Sequence, residues 1–166
     1  YQTLALANRM EFRLEDSAAA FGKALELDAE SLSARRGLAE MRRSLGRADE
    51  AVVLYRSILV REPDNVPAKT GLILSLFDAG KRAEAEAELR ASLDANAGNV
   101  ILLAGAGYWY AANGVGDKAV EYGQKAIDSD PRYIWSHIAV ARGLWLQDKP
   151  LEAEKVLLSA RKYGNF

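Results

Sequence analysis

Apolar positions along this chain recur at helical spacing, three and four residues apart, and polar or glycine- and proline-bearing turns interrupt them at regular intervals. The segments this pattern predicts as helices are 1–12, 15–28, 32–45, 48–61, 66–79, 82–95, 100–113, 116–129, 133–147 and 150–163. Alternation of the kind a half-buried strand needs is found nowhere. The helical stretches are rich in Ala, Leu, Glu, Lys and Arg, as intrinsic propensity favours.

The segments repeat. Ala29, Pro63, Ala97 and Pro131 stand 34 residues apart, and Asn165 continues the series. Other positions keep the same step. Twelve residues before these marks come Ser17, Ala51, Ala85, Ala119 and Ala153; eight before come Phe21, Tyr55, Leu89, Gly123 and Leu157; five before come Ala24, Ile58, Ser92, Ala126 and Ala160. Gly46, Gly80 and Gly114 fall where a first helix must stop, and glycine adopts the left-handed conformation that ends helices at low cost. Pro63 and Pro131 lie beyond the second helix, where a missing N–H does no harm. Small residues at Ala5, Ala39, Gly107 and Ala141, with Ile73 the exception, mark where two helices cross closely.

These residues carry a resemblance to the tetratricopeptide repeat family, whose unit is two helices joined by a tight turn. Leu38-Ala39, Gly46, Ala51, Tyr55, Leu59 and Pro63 match its pattern, as do Ala106-Gly107, Tyr110, Gly114, Ala119, Ala126-Ile127 and Pro131. The resemblance covers the chain without an insertion. It implies an all-α fold, a right-handed α-solenoid superhelix of antiparallel helix pairs with about ten helices. The expected organisation is a single array with repeats at 1–31, 32–65, 66–99, 100–133 and 134–166. Residue 1 enters inside a helix, and Val156, Leu157, Tyr163 and Phe166 would lie on or near an open edge. The chain is therefore expected to be a piece of a longer protein, or to find a partner at that edge.

Two departures from the pattern stand out. Gly123 replaces a bulky residue, and Trp109 is large for its place. Gly143 occupies the corresponding place in the next repeat, so Trp109 is expected to pack over it. In the last repeat Asp148 replaces the helix-ending glycine, and Lys149-Pro150 makes the turn.

The resemblance also says where a ligand would sit. In the family the first helix of each repeat lines a concave surface through its second, fifth, ninth and twelfth positions, which share one helical face. Here these are Ser33, Arg36, Glu40 and Arg43, then Pro67, Thr70, Leu74 and Phe77, then Ile101, Ala104, Tyr108 and Ala111, then Trp135, Ile138, Arg142 and Trp145. The implied groove is charged at its N-terminal part and aromatic at its C-terminal part. That suits an extended or helical peptide with apolar anchors at one end and an acidic group near Arg36 or Arg43. A packing role competes for each. Trp135 and Trp145 could lie against a neighbouring helix, and Arg36 and Arg43 could form a solvated face with Glu40. The family's carboxylate clamp, which takes acidic chaperone tails, is not expected, because the matching places hold Arg36, Glu40, Gly71, Ile101 and Gly105.

Composition narrows the function classes. About half of the chain is apolar, enough for a continuous core, and the formal net charge is −1, with Lys and Arg spread rather than clustered, so nucleic acid is not an expected partner. No apolar run reaches membrane-spanning length, so direct membrane insertion is not expected either. Cysteine is absent, which excludes disulfides, thiolate metal sites and cysteine nucleophiles but says nothing of compartment. The one histidine, His137, allows no triad and no multi-histidine metal site, and its place in the repeat is a packing position. Gly105-Ala106-Gly107 lacks both the third glycine and the preceding strand of a dinucleotide loop, and Gly80-Lys81-Arg82 lacks the rest of a phosphate loop. Asp49-Glu50 is explained by the helix dipole. No cofactor and no catalysis are expected. The expected function is an interaction module that holds a protein or peptide. The alternatives are a scaffold that self-associates through edges such as that near Phe166, and a regulatory domain attached to an enzyme.

Overall fold

The computed structural model describes residues 13–163, so the expected helix at 1–12 and the edge residue Phe166 lie outside the described residues. Among the described residues there are nine α-helices and no strand. They are α1 (Leu14–Leu27), α2 (Leu32–Ser44), α3 (Ala48–Arg61), α4 (Val66–Asp78), α5 (Arg82–Ala95), α6 (Val100–Ala112), α7 (Gly116–Ser129), α8 (Ile134–Leu146) and α9 (Pro150–Ala160), with a short 3-10 turn at Arg161–Tyr163. The fold is all-α. Three of these helices, α3, α5 and α7, coincide with their predicted bounds; α2, α4 and α6 differ by one residue at one end, α1 and α8 by one at both ends, and α9 by three at its end.

The ends of the helices repeat as strictly as their middles. Ser31, Asn65 and Asn99, spaced by one repeat, cap α2, α4 and α6, each side-chain oxygen accepting the N–H of the third residue on: Ala34 at 3.3 Å, Ala68 at 2.9 Å and Leu102 at 3.1 Å. Tyr133, next in the series, has no side-chain cap to offer α8. The other end of each of these helices closes with a six-residue bond: Arg47 N–H to Arg42 O, Lys81 to Leu76, Val115 to Tyr110, and Lys149 to Leu144, at 2.8–3.0 Å. Gly46, Gly80 and Gly114 take φ of 76°, 73° and 76° to make that closure, and Asp148 takes 59° in the fourth case. The turn is therefore kept where the glycine is lost, with a Cβ placed in the left-handed region.

The chain divides into two compact units, with the division between Ala87 and Glu88 inside α5. In the first unit, α2 packs on α1 and α3, and α4 packs on α3 and touches α2. Phe21 on α1 lies where a side chain on Gly37 would be: a Cβ there would stand 2.3 Å from the ring. Tyr55 on α3 does the same at Gly71, 2.2 Å from Cζ. Gly71 sits one repeat after Gly37, and Tyr55 one repeat after Phe21. Each aromatic ring thus seats in the next helix pair because that helix offers bare backbone. Exposed pairs also repeat, Arg47 to Glu15 at 3.1 Å and Lys81 to Asp49 at 2.7 Å, although such exposed pairs contribute at most ~1 kcal/mol each.

The second unit solves the same problem without aromatic plugs. α7 packs between α6 and α8, and α9 packs on α8. Gly107 of α6 faces the backbone of α7, where a Cβ would stand 3.0 Å from Gly123 N. Gly123 in turn faces Val140 of α8, where a Cβ would stand 2.6 Å from Cγ2. A Cβ on Gly143 would stand 2.8 Å from Val120 Cγ2, 2.9 Å from Gly116 O and 3.0 Å from Ala119 Cβ. The three atoms nearest to such a Cβ all belong to α7. Gly143 is kept small by the start of α7, whereas Trp109 is half-buried and meets Tyr110 edge-on at 5.4 Å. Tyr110 is fully buried and stacks on Tyr122 at 5.6 Å, joining α6 to α7.

Two expectations about stability follow. Gly143→Leu forces a branched side chain into the α7 backbone and should lower stability by about 1–3 kcal/mol or more; an unchanged thermal melt would show that α8 can shift without cost. Asp148→Gly should raise stability by about 1 kcal/mol, the cost of a Cβ at left-handed φ, read as a higher midpoint in a urea titration; no gain would mean that the aspartate side chain offsets that cost.

Candidate functional site

Within the second unit, α6 and α8 place their corresponding residues side by side. Tyr108 and Trp135 meet edge-to-face with ring centroids 5.8 Å apart. The Arg142 guanidinium lies over the Tyr108 ring, 4.8 Å from its centroid. Tyr108 and Arg142 are one repeat apart and occupy the same position on successive first helices. Trp135, Ile138, Arg142 and Trp145 fall within one narrow arc of α8, as spacings of three, seven and ten residues require. Trp145 is 68% exposed, Trp135 50% and Tyr108 37%; Arg142 is exposed and Ile138 half-buried. Ala104 and Ala111, also on the predicted face, are buried. Two further exposed residues, Ile101 and Leu146, extend the patch. The pattern that finds Ile101 is the repeat register, since it stands one repeat before Trp135. Leu146 carries no such signal, and its exposure follows only from its place at the last turn of α8.

In the first unit the predicted face divides. Arg36 and Glu40 are exposed on α2. Arg43 is half-buried and its Nε donates to the Asp78 carboxylate at 2.6 Å, so it ties α2 to the end of α4. Of the four residues predicted on α4, Pro67 is exposed and the other three are corrected by the structure. Thr70, Leu74 and Phe77 are all buried, Phe77 being only 1% exposed. The physical reason lies in the composition of α4. Leu72, Ile73, Leu74, Leu76 and Phe77 are all buried and leave the middle of the helix with no polar side to mark a surface.

Tyr55 links these residues electrostatically. Its hydroxyl is pushed up to about 12, first by burial and next by the Glu40 carboxylate, with Arg43 and Arg36 opposing. It is a packing group held neutral, not a proton donor at ordinary pH.

His137 is buried in α8, as its repeat position implies. Its Nε2 donates to Pro131 O at 2.8 Å and its ring lies 6.1 Å from that of Tyr163. Among the described residues no group of three His, Asp or Glu side chains is placed to hold a metal ion. None of the described helices is long and apolar enough to cross a membrane. α9 leaves Leu151, Leu157, Leu158 and Tyr163 exposed, while Val156 is half-buried against the cluster of Val140, Ala141, Leu144 and Ala153.

Comparison with known proteins gives a consistent account of the fold. A family profile described as tetratricopeptide repeat matches residues 42–106, and a second of the same description matches residues 13–66. Among solved structures, the thermophilic TPR protein TTC0263 of Thermus thermophilus superposes with a TM-score of 0.82 at 19% identity, over 98% of this chain and 89% of that one. A tetratricopeptide repeat protein from Parabacteroides merdae ATCC 43184 gives 0.77 at 17% identity, over 99% of this chain and 64% of that one. MamA from Desulfovibrio magneticus RS-1 gives 0.68 at 17% identity, over 98% and 92%. At these identities the likeness is one of fold. No curated protein matches the sequence.

The position of Tyr55 predicts an alkaline limit to stability. Its folded value is raised above the ordinary 10, so the stability it contributes is complete below about pH 10 and is lost as pH rises through about 12. Tyr55→Phe should flatten the fall in unfolding free energy across that window. Equal pH dependence in the two proteins would show that Tyr55 ionises in the folded state as it does in the unfolded chain.

Proposed function

This chain belongs to the tetratricopeptide repeat family, and on that premise we propose that it is a non-catalytic interaction module that binds a peptide or protein segment on the face formed by α6 and α8. Repeats of this kind in general mediate protein–protein interaction or scaffolding, and their typical partners are proteins. The observation that carries the reading is the joined cluster of Tyr108, Trp135 and Arg142, with Trp145 more than half exposed beside it. Large aromatic side chains left in water are unfavourable alone and become favourable when a partner covers them. Their types, Trp, Tyr and Arg, are those that dominate binding energy at protein interfaces. A partner protein is favoured over nucleic acid because the chain is near neutral and the face carries one cation.

In this reading the chain is one array with repeats at 1–31, 32–65, 66–99, 100–133 and 134–166. Arg36 and Glu40 remain as a separate charged surface of the first unit. A second reading has its own support. The exposed Leu151, Leu157, Leu158 and Tyr163 of the α9 edge suit self-association, as in a scaffold or as a regulatory domain of a larger protein.

Affinity capture from the source organism's lysate separates these readings. Wild type is run beside Tyr108→Ala/Trp145→Ala, with folding checked by circular dichroism. Each truncation is expected to weaken a groove partner by about tenfold or more, so a partner retained by wild type should be lost from the variant. Equal capture by both proteins, or recovery of the chain alone, would move the interface to the α9 edge, where Leu158→Glu should then abolish self-association in sedimentation.

A further inference from the structure

On the reading that α6 and α8 present the contact face, we propose that Arg142 sets its specificity. The partner is an apolar protein segment that carries one internal Asp or Glu side chain, and the Arg142 guanidinium receives that carboxylate.

The charge pattern of the face supports this. α6 holds no charged residue, and α8 holds none but Arg142 beyond the buried His137. Arg43, Arg47, Arg56 and Arg61 each meet a carboxylate of their own unit, whereas Arg142 meets none among the described residues and is held instead over the Tyr108 ring. A guanidinium stacked on an aromatic face keeps its in-plane N–H groups for an acceptor. Two of those donors match the two oxygens of a carboxylate.

Arg142 also works as a filter. A wholly apolar segment that covers Tyr108, Trp135 and Trp145 would take this cation out of water with no counter-charge, a cost that only a carboxylate at the right place removes. Specificity then comes from the penalty on partners without an acid as much as from the gain with one. A phosphate is a poorer match, because its second negative charge would find no second cation on either helix. The acid is a side chain within the segment rather than a chain terminus. Apolar surface extends on both sides of Arg142, with Trp135 and Ile138 before it and Trp145 and Leu146 after it, so the segment continues past the carboxylate in both directions.

A random peptide library, displayed with blocked C termini, tests this against wild type, Arg142→Gln, Arg142→Glu and Trp135→Ala/Trp145→Ala. Arg142 is exposed, so its variants should fold, and circular dichroism checks this. Wild type is expected to enrich peptides with one Asp or Glu flanked by apolar residues. Changing that acid to Asn or Gln should weaken a selected peptide by about tenfold or more. The difference should vanish in Arg142→Gln, and Arg142→Glu should select Lys or Arg at the same place. Enriched peptides that need the two tryptophans but show no acidic preference would overturn the role of Arg142 and leave the face standing. A gain on replacing the acid with phosphoserine, or on freeing a C-terminal carboxylate, would overturn it too. Peptides that bind the tryptophan variant as well as wild type, or no enrichment at all, would overturn the face itself and this inference with it.

Discussion

The distance between neighbouring helices is the constraint on which this structure depends, and residues without bulk set it. In the second unit Gly107, Gly123 and Gly143 let α6, α7 and α8 approach until main chain meets main chain or a valine methyl. In the first unit Gly37 and Gly71 give up their side-chain volume to Phe21 and Tyr55. Either arrangement fills the space between helices to the density a protein core requires. Net stability is a small difference between large terms, so a single misplaced methyl at such a crossing is felt by the whole unit.

The exposed aromatic face of α6 and α8 is a by-product of that close packing. When helices of one type lie side by side at constant register, residues one repeat apart become neighbours. Tyr108 and Arg142 meet for this reason, and no local feature of either helix would bring them together. Ala104 and Ala111 on that face are buried, whereas Tyr108, Trp135 and Trp145 stay in water. Close approach beneath and aromatic exposure above are two sides of one arrangement.

Much of this is legible in the sequence, because a periodic chain states each structural demand several times. The helix ends are readable from Gly46, Gly80 and Gly114, whose φ values lie within three degrees of one another. The turn at Asp148 shows that the demand belongs to the position and not to the residue type. The face is legible on α6 and α8 from the repeat register alone, since α6 holds no charged residue and α8 only Arg142. It is not legible on α4, where the middle of the helix has no polar side and the same register cannot tell a surface position from a core one; Thr70, Leu74 and Phe77 read as surface residues on that basis and lie in the core. Large and small residues at matching places invite the pairing of Trp109 with Gly143, whereas the atoms nearest to a Cβ on Gly143 belong to α7.

The two kinds of junction also differ in what they allow over evolutionary time. Phe21 with Gly37 and Tyr55 with Gly71 are equivalent fittings, a ring on one pair of helices and an open seat on the next. A gene segment encoding one such pair can be duplicated or lost, and the new neighbours still fit. Gly123 against Val140 is a fitting of the opposite sense, bare backbone on the earlier helix and a branched side chain on the later one. A pair that offers a ring finds no seat there. Lineages of this chain should therefore gain and lose repeats within the first unit, while the second unit, which bears the aromatic face, is inherited as a block.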